Sequence, residues 1–226
     1  MYKSILISFL LLAVSCSTDP PGHRFYYYPV EELANPKVYY YENVRDENDD
    51  IFYALKSFND KGNKYIHIDI YNSNLDITKT ERNIISGKGA FATELSVMID
   101  SILTPLKVYS DTVFLWDMKS INKFKLEAST NRPETRAQFV IKKISGLTDN
   151  TGNFTFKNVR YNTIEIVQDN FQNDGTDNID SEKIIYNYAS GLGLVSFEIN
   201  RTGSPGKSYI LKEILTFNEW KRAYNP

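Results

Sequence analysis

Two histidines, His23 and His67, and one cysteine, Cys16, are the whole stock of imidazole and thiol in this 226-residue chain. His23 falls in a Pro/Gly-rich entry segment, so a Ser-His pair or a zinc site of ordinary composition would have to be built on His67. That residue does have a carboxylate nearby. In the expected strand Lys64–Tyr71, His67 and Asp69 share one face, an arrangement that can orient an imidazole as a base. An ordinary surface histidine makes the same pairing, and a single histidine carries little information. No nucleophile elbow, phosphate-binding glycine loop or zinc-helix motif occurs. Two acidic stretches, Asn173–Glu182 and Arg45–Asp50, concentrate oxygen ligands that calcium accepts. Their spacing does not fit the helix-loop-helix calcium signature, and they read as solvated loops. The expectation is a non-enzymatic protein with no metal and no cofactor.

The chemistry that remains belongs to Cys16. It follows Lys3 and the apolar run Ser4–Ser15, too short to span a bilayer and ending in small residues. This is the layout of a lipoprotein signal: export, thioether acylation of Cys16, and cleavage that leaves the cysteine first. Two or three acyl chains, each buried CH₂ contributing about 0.8 kcal/mol, would hold the protein on a membrane without a transmembrane helix. Residues 1–15 are thus expected as signal peptide and 16–24 as a lipidated tether. Residues 25–226 form one β-rich domain.

The domain has to be positioned by strands. Aromatic residues make up 14% of the chain, with 16 Tyr and 13 Phe, and Ile, Val and Thr are frequent; such side chains favour a pleated, half-buried surface. Ile66, Ile68 and Ile70 alternate with His67, Asp69 and Tyr71, giving one apolar and one wet face. About a dozen such runs are separated by turn sequences such as Asn59–Gly62, Asp149–Gly152 and Thr202–Gly206. Phe91–Leu103 fits both periods and is taken as strand. One helical turn is expected at Pro29–Ala34. The fold class is therefore all-β: an antiparallel curved sheet, sandwich or incomplete barrel with at most one or two short helical turns. No disulfide is available, so burial alone must hold the domain together, and about 210 residues suffice for that. A formal charge of -2 gives no electrostatic claim on nucleic acid.

Phe25–Tyr28 and Tyr39–Tyr41 are the most distinctive clusters. Consecutive aromatics in a strand point to both faces, so some rings pack inside; they are expected to close one end of the core. Exposed ones would suit a protein or glycan partner. Within the lipid-anchored reading, the leading expectation is a binding or structural module. The alternative is a carrier of a lipidic or other apolar ligand in a cavity lined by residues such as Ile66, Ile68 and Ile70.

Pro29–Leu33 followed by Pro36–Tyr41, together with Tyr188–Glu198 and its Gly191–Leu192–Gly193–Leu194–Val195 turn, resembles the uncharacterised small lipoproteins of the Bacteroidota. The resemblance covers about a quarter of the chain and brings no activity with it. It implies an outer-membrane location, with the periplasmic face favoured over the cell surface because the residues after Cys16 are poor in acids. It also implies possible O-glycosylation where Asp precedes Ser or Thr and an apolar residue, at Ser101 and Thr112. Gly191 and Gly193 themselves read as a tight corner between two strands.

Overall fold

The computed structural model describes residues 22–173 and 179–224. Twelve antiparallel strands follow one another in chain order: β1 Lys37–Asn43, β2 Ile51–Asp60, β3 Asn63–Tyr71, β4 Ile77–Ile85, β5 Gly89–Ile99 and β6 Ile102–Leu115. The second half continues with β7 Lys123–Asn131, β8 Gln138–Phe156, β9 Val159–Asn173, β10 Ile179–Ala189, β11 Gly193–Arg201 and β12 Lys207–Thr216. Every strand pairs with its sequence neighbours, and β1 also pairs with β12, Lys37 opposite Thr216. The sheet is thus a closed barrel rather than a sandwich or an incomplete one. Closure leaves no edge strand unpaired, which an open curved sheet of twelve strands could not achieve.

Alternation sorts the two faces. Tyr39, Tyr41, Leu55, Ile66 and Ile68 point inward and are buried. Lys56, Asp69, Lys125, Glu127, Lys183 and Glu198 occupy outward positions of the same ladders. The outer wall therefore suits water, the reverse of the apolar band that a lipid-embedded barrel presents. Phe91–Leu103 is strand, split by the Asp100–Ser101 hairpin turn, in which both residues have positive φ. Asp149–Gly152 is not the expected turn. It lies at a bulge inside β8, and the reversal comes later at Lys157 and Asn158, with φ of 48° and 66°. A long hairpin can absorb a turn-like sequence as a bulge where the partner strand continues to pair. Beyond Leu147 and Asn162, β8 and β9 pair only with each other, as an arm past the rim.

One end of the barrel is crossed by residues 22–36, here called the strap; the opposite end is the mouth. Glu32–Ala34 is the expected single turn. His23 and Arg24, read from sequence as tether, belong to a second 3₁₀ turn, His23–Tyr26. The His23 amide donates to the Trp116 carbonyl at 2.7 Å.

An eight-residue helix, α1 Phe217–Tyr224, was not anticipated. Thr216 and Glu219 cap it reciprocally: the Glu219 amide donates to Thr216 Oγ1 at 3.2 Å and the Thr216 amide to Glu219 Oε2 at 2.8 Å. Trp220 is then buried on the outer wall with Val38, Phe52 and Ala54.

Candidate functional site

The barrel interior divides into an aromatic half and an ionic half. Tyr27 of the strap and Phe114, Trp116 and Tyr188 beneath it form a ring cluster with centroids 5.2 to 5.9 Å apart, in tilted or edge-on pairs. Tyr28 sits edge-on to Tyr39 at 5.6 Å. The Tyr39 and Tyr41 hydroxyls reach past β12 and donate to the Leu192 and Leu194 carbonyls around the start of β11, at 3.0 and 2.9 Å. Gly193, with φ of 88°, lets the strap close: an added Cβ would lie 2.5 Å from Tyr28 Cδ1. The proline-led entry, the tyrosine strand and the Gly-x-Gly corner are therefore one packed unit. Burial pushes the Tyr28, Tyr41 and Tyr188 hydroxyls far above the ordinary tyrosine range, so they stay neutral donors.

Towards the mouth, the inward positions of β4 become Asn83, Glu81 and Lys79, opposite Ile66, Ile68 and Ile70. Glu81 is ion-paired with Lys79, and Lys143 of β8 lies close enough to act on both charges. Burial drives the Glu81 carboxyl upward, but the Lys79 and Lys143 charges and the hydrogen bonds from Lys79 and Asn83 outweigh it and hold it at about 2. Burial, reinforced by the Lys79 charge, pulls Lys143 down to about 7 against the opposing pull of Glu81. At the rim, Arg201 pairs with Asp180 and Glu182, while Asp49 pairs with Lys207 and accepts from the Tyr209 hydroxyl at 2.7 Å.

The empty space follows this division. Inside the barrel, between the tyrosines and the Lys79–Glu81–Lys143 cluster, there is a cavity of about 90 Å³. Ile68 and Ile70 line it, whereas Ile66 is packed in the core. A cleft of about 420 Å³ lies at the strap end, lined by Phe25, Tyr28, Val30, Ile85 and Trp116 with Arg24 beside them. A second, of about 360 Å³, lies at the mouth beside Arg201 and Lys207.

The sequence-predicted residues are scattered across this frame. His67 is on the outer wall, its Nε2 2.9 Å from Asp69 Oδ1, and that hydrogen bond raises its pKa. None of the three cavities above includes it. In the 45–50 loop, Asp50 accepts from the Tyr40 hydroxyl at 2.7 Å and from the Asn43 amide at 3.1 Å, so its oxygens bind the loop to the barrel. Asp174–Asn178 and Cys16 lie outside the described residues. Ser101 is exposed at a hairpin tip and Thr112 is half-buried in β6, 11 positions apart on different parts of the wall. Sequence reasoning missed the ionic cluster. Its only signal was a polar run, Thr78–Asn83, whose inward positions carried charge where neighbouring strands carried isoleucine.

The site and fold define a water-facing, closed antiparallel barrel with a plugged end. No family model matches the chain, and no curated protein is similar to it in sequence. Two solved structures are similar in fold. One, from Parabacteroides distasonis and provisionally described as a lipoprotein, has 10% identity and a TM-score of 0.53, covering 84% of this chain and 98% of that one. The other, from Bacteroides fragilis and provisionally described as an exported protein with a YmcC-like fold, has 8% identity and a TM-score of 0.50, covering 79% and 94%.

Proposed function

We propose that the chain is a lipid-anchored protein of the cell envelope, a non-enzymatic binding or structural module held by acyl chains on Cys16. The observation that carries the module over the carrier is the filled interior. A cavity of about 90 Å³ is well below the roughly 300–1,000 Å³ of ordinary ligand sites, so an acyl chain has no room between the strands. Of the two open clefts, the one at the strap end has aromatic and aliphatic walls that suit an apolar group of a partner. The two proteins of similar fold, one provisionally described as a lipoprotein and one as an exported protein, support the envelope reading.

Intact-mass analysis of the native product tests the anchor. A chain beginning at Cys16 with acyl mass is expected, and another first residue without lipid would remove it. The same spectrum reads sugar on Ser101 or Thr112. Native mass spectrometry of the purified protein separates module from carrier, since a tightly co-purifying apolar molecule would restore the carrier. The outer-membrane, periplasm-facing placement predicts resistance to protease added to intact cells.

A further inference from the structure

The two rims of the barrel differ in charge. The described chain enters at the strap end, docked on Trp116. Around that point lie three segments tied together by backbone hydrogen bonds. They are residues 22–25, 86–89 and 116–123: the His23 amide donates to the Trp116 carbonyl at 2.7 Å and the Trp116 amide to the Lys88 carbonyl at 2.9 Å. The Met118 amide also donates to His23 Nδ1 at 3.3 Å. These segments present Arg24, Lys88, Lys119 and Lys123, all exposed. Two large apolar side chains stand among them, Ile121 at 86% exposure and Phe25 at 54%.

Asp117 is the acid within the patch. Of the other acids at this end, Glu31 is paired with Lys64, Asp60 with Arg82, and Glu219 is held by Thr216 at the start of α1. Glu32 and, on the β8–β9 arm, Asp149 are exposed, and the same arm carries the exposed Lys157 and Arg160. At the mouth the balance is reversed: Asp46, Glu47, Asp49, Asp76, Asp100 and Asp180 outweigh the basic residues among those described.

We infer that the strap end is a docking face for an anionic lipid surface, with Phe25 and Ile121 entering the interface and the surrounding Lys and Arg side chains meeting the headgroups. Exposed apolar side chains ringed by cations are the combination that binds anionic bilayers. Geometry selects this occupant. Five residues separate Cys16 from Gly22, six Cα-to-Cα steps with a reach of at most about 20 Å, so acyl chains at Cys16 keep this rim, and not the acidic one, against the membrane. The inference rests on the anchor reading for that proximity. It adds that the barrel stands with its axis fixed and its acidic mouth turned away from the bilayer.

The test uses the acylated full chain in nanodiscs of phosphatidylcholine alone or of equimolar phosphatidylcholine and phosphatidylglycerol, read by amide hydrogen exchange. Residues 85–89 and 116–123 are expected to exchange about tenfold more slowly in the anionic discs at low salt, each basic side chain being worth about fivefold at such a surface. High salt should abolish the protection, and the 99–102 hairpin at the mouth should be unaffected. The combined Lys88→Glu, Lys119→Glu and Lys123→Glu variant, all at exposed positions, should lose it, as Ile121→Ser should in large part. Equal exchange in both discs, protection that survives the charge reversals, or protection of the mouth hairpin instead would overturn the docking face. Acylation is read separately from intact mass. An acylated chain without protection sinks the docking face alone, and an unacylated chain sinks the anchor and this inference together.

Discussion

Tyr27, Phe114, Trp116 and Tyr188 fill one half of the barrel, while Lys79, Glu81 and Lys143 occupy the other, and the two halves are held together by different physics. The aromatic half gains from area removed from water and from tilted ring contacts, terms that pH does not touch. The ionic half has three buried or half-buried charges whose desolvation cost must be offset by one another. The lesson is that one continuous sheet can carry a plug and a titratable centre side by side, because alternation fixes only which side chains face inward and leaves their chemistry free.

Removing a ring from the plug is the largest perturbation. Phe114→Ala, at 1% exposure and in contact with three other rings, is expected to cost about 3–5 kcal/mol in chemical denaturation. A loss equal to that of a surface substitution would mean that the strap does not seal this end.

In the ionic half, Glu81→Gln leaves two lysines facing each other without a carboxylate and should cost about 3 kcal/mol near neutral pH. The acid limb gives the sign. The carboxyl is held at about 2 against an ordinary 4.5, so the stability it contributes is complete above 4.5 and is lost as pH falls from about 4.5 to about 2. The variant should lack that part of the acid transition.

Lys143 runs the opposite way. Held at about 7 against an ordinary 10.5, it binds fewer protons folded than unfolded, so stability should rise as pH goes from about 7 to about 10.5. Lys143→Met should flatten this slope and be neutral or stabilising at pH 7, in contrast to Glu81→Gln. If both variants destabilise equally, the cluster is a balanced network and the contrast between the halves narrows.

A smaller effect sharpens the same contrast from outside. Thr216→Ala removes one side of the capping box and should cost about 1 kcal/mol, loosening α1 over Trp220 without touching either half of the interior. At the mouth, Arg201→Ala should cost less than about 1 kcal/mol, because its pairs with Asp180 and Glu182 are partly solvated.

Much of the wall was legible before the structure. Strict alternation at Ile66, Ile68 and Ile70 gave both the strand and its inward face, since a period of two leaves no freedom, and the run Tyr39–Tyr41 announced rings on both faces; the structure assigned Tyr39 and Tyr41 inward and Tyr40 outward. Two local signals were misread or missed. Asp149–Gly152 looked like a turn because Asn and Gly tolerate left-handed backbone, yet Lys157 and Asn158 make the reversal. Thr216-Phe217-Asn218-Glu219 is a capping box with Phe217, Trp220 and Tyr224 on one stripe, a helix signal hidden behind a strand.

By itself the amino-acid order determined an all-strand domain with isoleucines sharing one face and tyrosine runs serving both, behind a short apolar run ending at Cys16. Local propensity and period are properties of a few neighbouring residues, which is why they can be read from the chain. Closure was decided only in three dimensions, since nothing near Lys37 announces that it will meet Thr216. The same holds for the strap locking onto Gly193 and for Lys143 meeting Glu81 across the barrel. Those contacts join residues far apart in sequence, and their free energy exists only once the shear and stagger of twelve strands have brought the two ends of the sheet together.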